Sequence, residues 1–255
     1  MRLVLLGDPV EHSRSPAILN AALAAAGIEG SYQARRVVDR PGMVSALAEI
    51  RYGTLDGGNV TMPHKETAFA LVDRVSEVGL RAGAVNTVIH RDGAAAGDNT
   101  DVSGLRRVGE DLGLGDADPL LILGSGGAAA AALVAFADRH PSIAARSAER
   151  AGALLERTRV DGSVVEWGSA VQGAVVVNAT PIGMEGESLP EGIVERAAAL
   201  IDLPYGKERT PSVIGAFAFG IPVADGREVL LVQAAAAFEL WTGIAAPVDA
   251  MRAAL

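Results

Sequence analysis

The sequence predicts an α/β protein built as two successive units, and three observations carry that prediction. Short apolar, branched runs alternate with helical stretches, the rhythm of mostly parallel sheets covered by helices. The rhythm begins afresh at Asp101, after about a hundred residues, and runs through a second set of elements. Between Pro119 and Ala137 no residue is charged, a length close to the ~20 apolar residues that span a bilayer. Gly124, Ser125, Gly126 and Gly127 interrupt that run, so it reads as strand, glycine turn and buried helix instead. With 255 residues and 49% hydrophobic content, the chain is long and apolar enough to bury a full core.

In the first unit, "LVLLGD" reads as a buried strand and "SPAILNAALAAAG" as a helix stopped at Gly27. "YQARRVV" reads as a strand, "GMVSALAEIR" as a helix and "NVT" as a third strand. "KETAFALVDRVSEVGLRAGA" predicts one or two helices. "AVNTVIHRDGAAAGDNT" predicts two extended pieces about an Asp92-Gly93 turn, a hairpin at a sheet edge. The second unit opens with a helix through Leu112 and a Gly/Asp/Pro linker to Pro119. After the strand and glycine turn come "SIAA", "SVVEW", "GAVVVNAT", "AALIDLPY" and "IPVAD", up to six strands of a doubly wound unit. The last helix, "LLVQAAAAFELWTG", is too apolar to lie free and is expected to pack on the first unit.

Composition narrows the function. A net charge of −9 with no run of Lys or Arg argues against a nucleic-acid groove or an anionic membrane surface, which leaves a small soluble ligand. No cysteine means no disulfide, thiolate chemistry or thiolate-bound metal, and the charged residues near the N-terminus argue against a secretory signal. The expected compartment is the cytoplasm. The four histidines show no metal-ligand spacing, so no metal is expected.

Four constellations carry chemistry. Gly124, Gly126 and Ala129 satisfy G-x-G-x-x-G/A directly after a strand and at the opening of a helix. Backbone N–H groups there can approach a pyrophosphate. Where an NAD site usually carries an acid, at the end of the next strand, this chain has Arg146 with Ser147 beside it and Arg150 one turn on. That set suits a 2'-phosphate and favours NADP over NAD. Ser15 before Pro16 reads as a helix N-cap, and Ser13 would share the same helix mouth, together a seat for a carboxylate. Lys65 opens a helix, where the dipole disfavours a cation, and so asks for a reason beyond solvation. Asp101, at another strand-to-helix junction, offers it a partner.

"GDPVEHSRSPAILNAAL", "NVTMPHK", "GAVNTV", "GDNTD", "GSGGAAAAA", "NATPIGM" and "VQAAAAFELWTG" stand in the order seen in shikimate dehydrogenases, and the sequence resembles that family over nearly its whole length. The resemblance implies an α/β substrate domain over residues 1–100, completed by C-terminal helices over 227–255. It also implies a Rossmann-like, doubly wound NADP domain over 101–226 and an active site in the cleft between the two. The family reduces 3-dehydroshikimate to shikimate in aromatic amino-acid biosynthesis. By resemblance Lys65 and Asp101 form the catalytic pair, Ser13 and Ser15 bind the substrate carboxylate, and Thr61, Asn86, Asp101, Gln233 and Tyr205 meet the rest of the substrate. Gly124, Ser125, Gly126, Gly127 and Ala128 match the phosphate loop, and Arg146, Ser147 and Arg150 the 2'-phosphate site. Thr180 and Gly226 match further cofactor contacts. Monomers and homodimers both suit the family.

The chain departs from the family pattern at four positions. Ala145-Arg146-Ser147 stands where Asn-Arg-Thr is usual, Lys207 where proline is common, and Val229 where methionine is frequent. Relatives that oxidise quinate with NAD tend to carry threonine in place of the second serine and an acid at the second-strand end. Ser15 and Arg146 therefore favour shikimate and NADP over that alternative, an enzyme acting on an amino analogue of shikimate stands as a further alternative, and Lys65 together with Asp101 speaks against a silent dinucleotide-binding relative.

Overall fold

A computed structural model describes residues 1–115, 117–206 and 208–255. The chain divides into two compact units, Met1–Thr100 with Leu231–Leu255, and Asp101–Leu230.

The first unit holds β1 (Arg2–Gly7), β2 (Ser31–Arg36), β3 (Gly57–Val60), β4 (Arg74–Val75), β5 (Thr87–Arg91) and β6 (Ala94–Asp98), in the sheet order β2-β1-β3-β5-β6-β4. β1 is parallel to β2 and β3, whereas β5 is antiparallel to both β3 and β6. Helix α1 (Ser15–Ala25) ends before Gly27, whose φ of +66° is the left-handed conformation that stops it. Helix α2 (Arg40–Arg51) starts at Asp39, whose carboxylate accepts from Gly42 N at 2.9 Å. It buries Met43, Ala46, Leu47 and Ile50, spaced three and four apart, in one core with Leu6, Val60 and Val88.

Two sequence expectations are corrected here. The stretch after Lys65 forms two helices, α3 (Lys65–Phe69) and α4 (Glu77–Ala82), with the unforeseen two-residue strand β4 between them. Because β4 pairs with β6, the hairpin of β5 and β6 lies inside the sheet and not at its edge. Strand β3 also starts two residues earlier than its apolar pattern suggests. Gly57 and Gly58 are strand residues because a Cβ would lie 2.7 Å from the Trp241 indole nitrogen in the one case and 2.4 Å from the Val4 carbonyl in the other.

The second unit holds β7 (Leu120–Leu123), β8 (Ser142–Ala144), β9 (Ser163–Val165), β10 (Val175–Asn178), β11 (Ala199–Asp202) and β12 (Val223–Ala224). All are parallel, in the order β12-β11-β10-β7-β8-β9. Strands β7, β10 and β11 are buried throughout, as a parallel sheet covered on both faces requires. The helices of this stretch are α5 (Thr100–Asp111), α6 (Gly127–Ala135), α7 (Ala148–Thr158) and α8 (Pro211–Ala218). Strand addition reverses direction at β7, with β8 and β9 on one side and β10 to β12 on the other. That switch point is where open α/β sheets bind ligands.

Helix α9 (Gly226–Thr242) and α10 (Val248–Ala253) end the chain. Trp241, near the end of α9, donates from its indole N–H to the Val88 carbonyl at 3.0 Å and packs against the Tyr32 ring at 6.1 Å between centroids. An apolar helix thereby finds its cover on the first sheet. No helix among the described residues is long and apolar enough to cross a membrane.

Candidate functional site

One edge of the first sheet collects most of the residues singled out for catalysis and substrate binding. β1 and β3 run parallel, so their carboxyl ends lie side by side, and Thr61 N donates to Leu6 O at 2.8 Å while Asp8 N donates to Met62 O at 3.0 Å. β5 runs the other way, which brings its first residues to the same edge: Val60 N donates to Asn86 O at 2.7 Å. β6 ends there too, with Asp98 opposite Thr87. This edge therefore carries Ser13 and Ser15 beyond β1, Thr61 and Lys65 beyond β3, Asn86 before β5, and Thr100 beyond β6. Asp101 follows Thr100 directly.

Ser15 is not the N-cap of α1, as the sequence suggests, but its first residue. Arg14 is the N-cap, and its own side chain makes no capping bond. The hydroxyl of Ser13 accepts from Ser15 N and donates to Ser15 Oγ, both at 3.2 Å. Ser13 does the local backbone work, and the buried Ser15 hydroxyl keeps its own hydrogen for a ligand.

Lys65 is half-buried at the start of α3, and its carbonyl accepts from Val85 N at 2.9 Å, beside Asn86. Helix α3 is only five residues long, about one and a half turns, and carries little macrodipole. So short a helix does little to disfavour a cation at Lys65. The lysine stands out by its place on the sheet edge.

Asn86 is 2% exposed, and its amide orientation is fixed. The Oδ1 atom accepts from Thr100 N at 2.8 Å, Thr87 Oγ1 at 3.0 Å and Thr100 Oγ1 at 3.2 Å. Asn86 thus caps α5 from a distant strand and sets the turn that carries Asp101. Among the described residues nothing accepts from its Nδ2, which leaves a donor for a ligand. Behind it a buried chain runs inward. Asn59 Nδ2 donates to Thr87 Oγ1 at 3.0 Å, and Tyr32 donates its hydroxyl to Asn59 Oδ1 at 2.8 Å. Sequence pattern missed Thr87 and Thr100 because each reads as an ordinary residue at the boundary of its element. Gln233 lies half-buried on α9.

In the second unit, Gly124 has a φ of +121°, and a Cβ would stand 2.8 Å from the Ala179 carbonyl. Only glycine makes this turn. Above Gly126 a Cβ would meet nothing within 4 Å, and Gly126 caps α6 without any side-chain bond. An open space over uncapped N–H groups of Gly127, Ala128 and their neighbours fits a pyrophosphate. Ser125, in the same turn, is half-buried. Arg146 and Arg150 are exposed and have no ion-pair partner among the described residues, and Ser147 caps α7 by accepting from Arg150 N at 3.2 Å. Two arginines and a hydroxyl that still carries its proton fit a phosphate monoester at the end of β8. Ala145, at the usual asparagine position, is buried, as is Val229, while Lys207 lies outside the described residues.

Thr180, Tyr205 and Gly226 lie on the other side of β7, after β10, β11 and β12. A Cβ on Gly226 would come within 2.5 Å of the Leu203 carbonyl, so α9 begins in backbone contact with the 203–204 segment. Beneath them is a buried cluster absent from the sequence analysis. Asn178 Nδ2 donates to Asp202 Oδ1 at 2.7 Å, and Thr210 donates its hydroxyl to Asp202 Oδ2. A lone acid or amide that ends an apolar strand run was the signal available. Burial pushes the Asp202 carboxyl up to about 6 and the nearby Asp225 charge adds to this, while the bonds from Thr210 and Asn178 pull it back.

Because the native carboxyl keeps its proton to higher pH than the unfolded one, Asp202 costs stability as pH rises from its ordinary value of ~4 to ~6, by about 3 kcal/mol. Asp202→Asn removes this titration. Urea midpoints measured across that window should fall less with pH for the variant than for the parent. Parallel curves would contradict the assignment.

Comparisons with known proteins agree with this geometry. Residues 5–88 match the family model of the shikimate dehydrogenase substrate binding domain, and residues 226–255 that of the shikimate 5'-dehydrogenase C-terminal domain. A shikimate dehydrogenase (NADP(+)) of Acidiphilium cryptum is 39% identical over 261 residues, covering 96% of this chain and 91% of that protein. One of Moorella thermoacetica is 39% identical over 271 residues, covering 98% and 90%. The crystal structure of a shikimate 5-dehydrogenase from Thermus thermophilus in complex with NADP(H) and shikimate superposes with a TM-score of 0.89 at 35% identity, over 100% of both chains.

Proposed function

Since the chain belongs to the shikimate dehydrogenase family, we propose that it interconverts 3-dehydroshikimate and shikimate with NADP(H), Lys65 and Asp101 serving as its acid–base pair. The observation that carries this reading is the single sheet edge on which Ser13, Ser15, Thr61, Lys65 and Asn86 converge, with Asp101 one residue beyond Thr100. Ser15 donates its hydroxyl to the substrate carboxylate, and Ser13 donates to it once its hydroxyl turns from Ser15 Oγ. Lys65 gives a proton to the ketone oxygen in reduction and takes it from the alcohol in the reverse direction. Asp101 holds the ammonium in place and accepts from a ring hydroxyl. Thr61, Gln233, Tyr205 and the Asn86 Nδ2 donor fix the remaining ring substituents.

NADPH, when bound, supplies the hydride. Gly124 to Ala128 hold its pyrophosphate, Arg146, Ser147 and Arg150 its 2'-phosphate, and Thr180 and Gly226 its nicotinamide half. A small polar substrate and a chain without cysteine fit the cytoplasm. The test is the initial rate of nicotinamide reduction with shikimate and NADP, run beside shikimate with NAD and quinate with either cofactor. A clear preference for shikimate and NADP supports the reading. Turnover mainly of quinate or with NAD overturns it.

The buried chain behind Asn86 gives a second prediction. Thr87→Val removes one of the three bonds that hold the Asn86 amide and should raise KM for shikimate roughly tenfold, the worth of one buried hydrogen bond, while KM for NADP holds. Thr87→Ser should restore it. Equal KM values in parent and valine variant would show that Thr87 does not orient Asn86.

A further inference from the structure

The buried carboxylate of Asp202 has no part in the chemistry above, yet it ties together the two loops that follow β10 and β11. On one side, Asn178 donates to it at 2.7 Å, and the same Asn178 amide organises the loop after β10. Its Nδ2 also donates to Ile182 O at 3.1 Å, and its Oδ1 accepts from Thr180 N at 3.1 Å and Thr180 Oγ1 at 2.6 Å. On the other side, Thr210 donates to Asp202 while accepting from Val213 N at 3.2 Å as the N-cap of α8. The two loops touch directly as well: a Cβ on Gly183 would lie 3.0 Å from the Thr210 side chain. Asn178 and Asp202 are 0% exposed and Thr210 is 3%, so the cluster is sealed and cannot itself meet a ligand.

Both loops stand at the carboxyl edge of the parallel sheet, on the β10 side of the switch point. The glycine turn after β7 and the arginines after β8 take the pyrophosphate and the adenosine 2'-phosphate. A dinucleotide laid across the switch point therefore puts its nicotinamide half over β10 and β11. Thr180 belongs to the first loop, and the segment after Asp202 supplies Leu203 and Pro204, whose carbonyls press on Gly226. We propose that Asp202 is a positioning residue for the nicotinamide half of the cofactor, joining the loop that bears Thr180 to the segment that packs on Gly226 through its paired bonds to Asn178 and Thr210. The proposal rests on the reading of this protein as NADP-dependent.

The experiment compares two probes that share the adenosine 2'-phosphate end: NADP, and adenosine 2',5'-bisphosphate, which lacks the nicotinamide half. Dissociation constants for each are measured by calorimetry on the parent, Asp202→Ala and Asp202→Asn. The alanine variant should bind NADP about tenfold more weakly, the loss of one or two buried hydrogen bonds, and the bisphosphate as tightly as the parent. The asparagine variant should return close to the parent. Its carbonyl accepts from Asn178, and its amide donates to Thr210 Oγ1 once that hydroxyl proton turns away. If the alanine variant does not fold, Thr210→Val carries the same comparison. Equal losses for both probes would reveal a general loosening of the unit and overturn the proposal, as would unchanged NADP binding. A parent protein that binds neither probe would sink the cofactor reading and the proposal with it.

Discussion

Lys65→Ala is expected to lower kcat by roughly 10³-fold, the range spanned by loss of a positioned general acid, while NADP binding stays unchanged. The reason is the separation of tasks between the two units. Lys65 stands at the edge of the first sheet beside Asn86, whereas the phosphate turn and the arginines belong to the second. Removing the amine deletes the proton donor to the ketone oxygen without touching the groups that hold phosphate. Calorimetry for NADP beside steady-state rates distinguishes this from misfolding, which lowers both. A Lys65→Ala variant with near-parent kcat would remove Lys65 from the chemistry.

The second large effect is expected at Arg146 and Arg150. Each is exposed, without an ion-pair partner among the described residues, and set on either side of the Ser147 cap. A charge-assisted bond to a phosphate contributes about 1.5–3 kcal/mol, so removing both arginines by alanine should raise KM for NADP by roughly 10²-fold or more and leave KM for NAD nearly unchanged. The ratio of kcat/KM for the two cofactors reads this directly. Because Ala145 stands where the family usually has asparagine, the discrimination is expected to rest on the two arginines and Ser147. An unaltered ratio in the double variant would mean that another part of the chain reads the 2'-phosphate.

Much of this was legible in the sequence because it obeys short-range rules. The glycine turn at Gly124 follows an apolar run and opens a helix, and the turn at Asp92-Gly93 separates two extended runs. Each feature is set by neighbours a few residues away. What escaped depends on contacts made across the fold. The strand read from Asn59 left out Gly57 and Gly58, because composition cannot show that Trp241 and Val4 occupy the space a side chain would need. Strand β4 has two residues, too few for any periodicity. Ser15 resembled a cap because it precedes proline, but the helix already begins at Ser15 and Arg14 takes the cap position. Thr87, Thr100 and Asp202 carry no spacing signal: they matter through bonds to Asn86, Asn178 and Thr210, residues brought near only when the sheets form.

The most direct test of the central claim follows the hydrogen itself. 3-Dehydroshikimate is incubated with the protein and NADPH carrying two deuterons at the nicotinamide C4, and the product is examined by proton and deuterium NMR. The account predicts shikimate with one deuteron on the carbon that was the ketone. The same reaction with unlabelled NADPH in heavy water should leave that carbon with ordinary hydrogen, because the proton from Lys65 goes to oxygen and exchanges away. Shikimate formed without cofactor deuterium on that carbon, or no consumption of the ketone at all, would contradict the assignment of this chain as an NADP-dependent reductase of 3-dehydroshikimate.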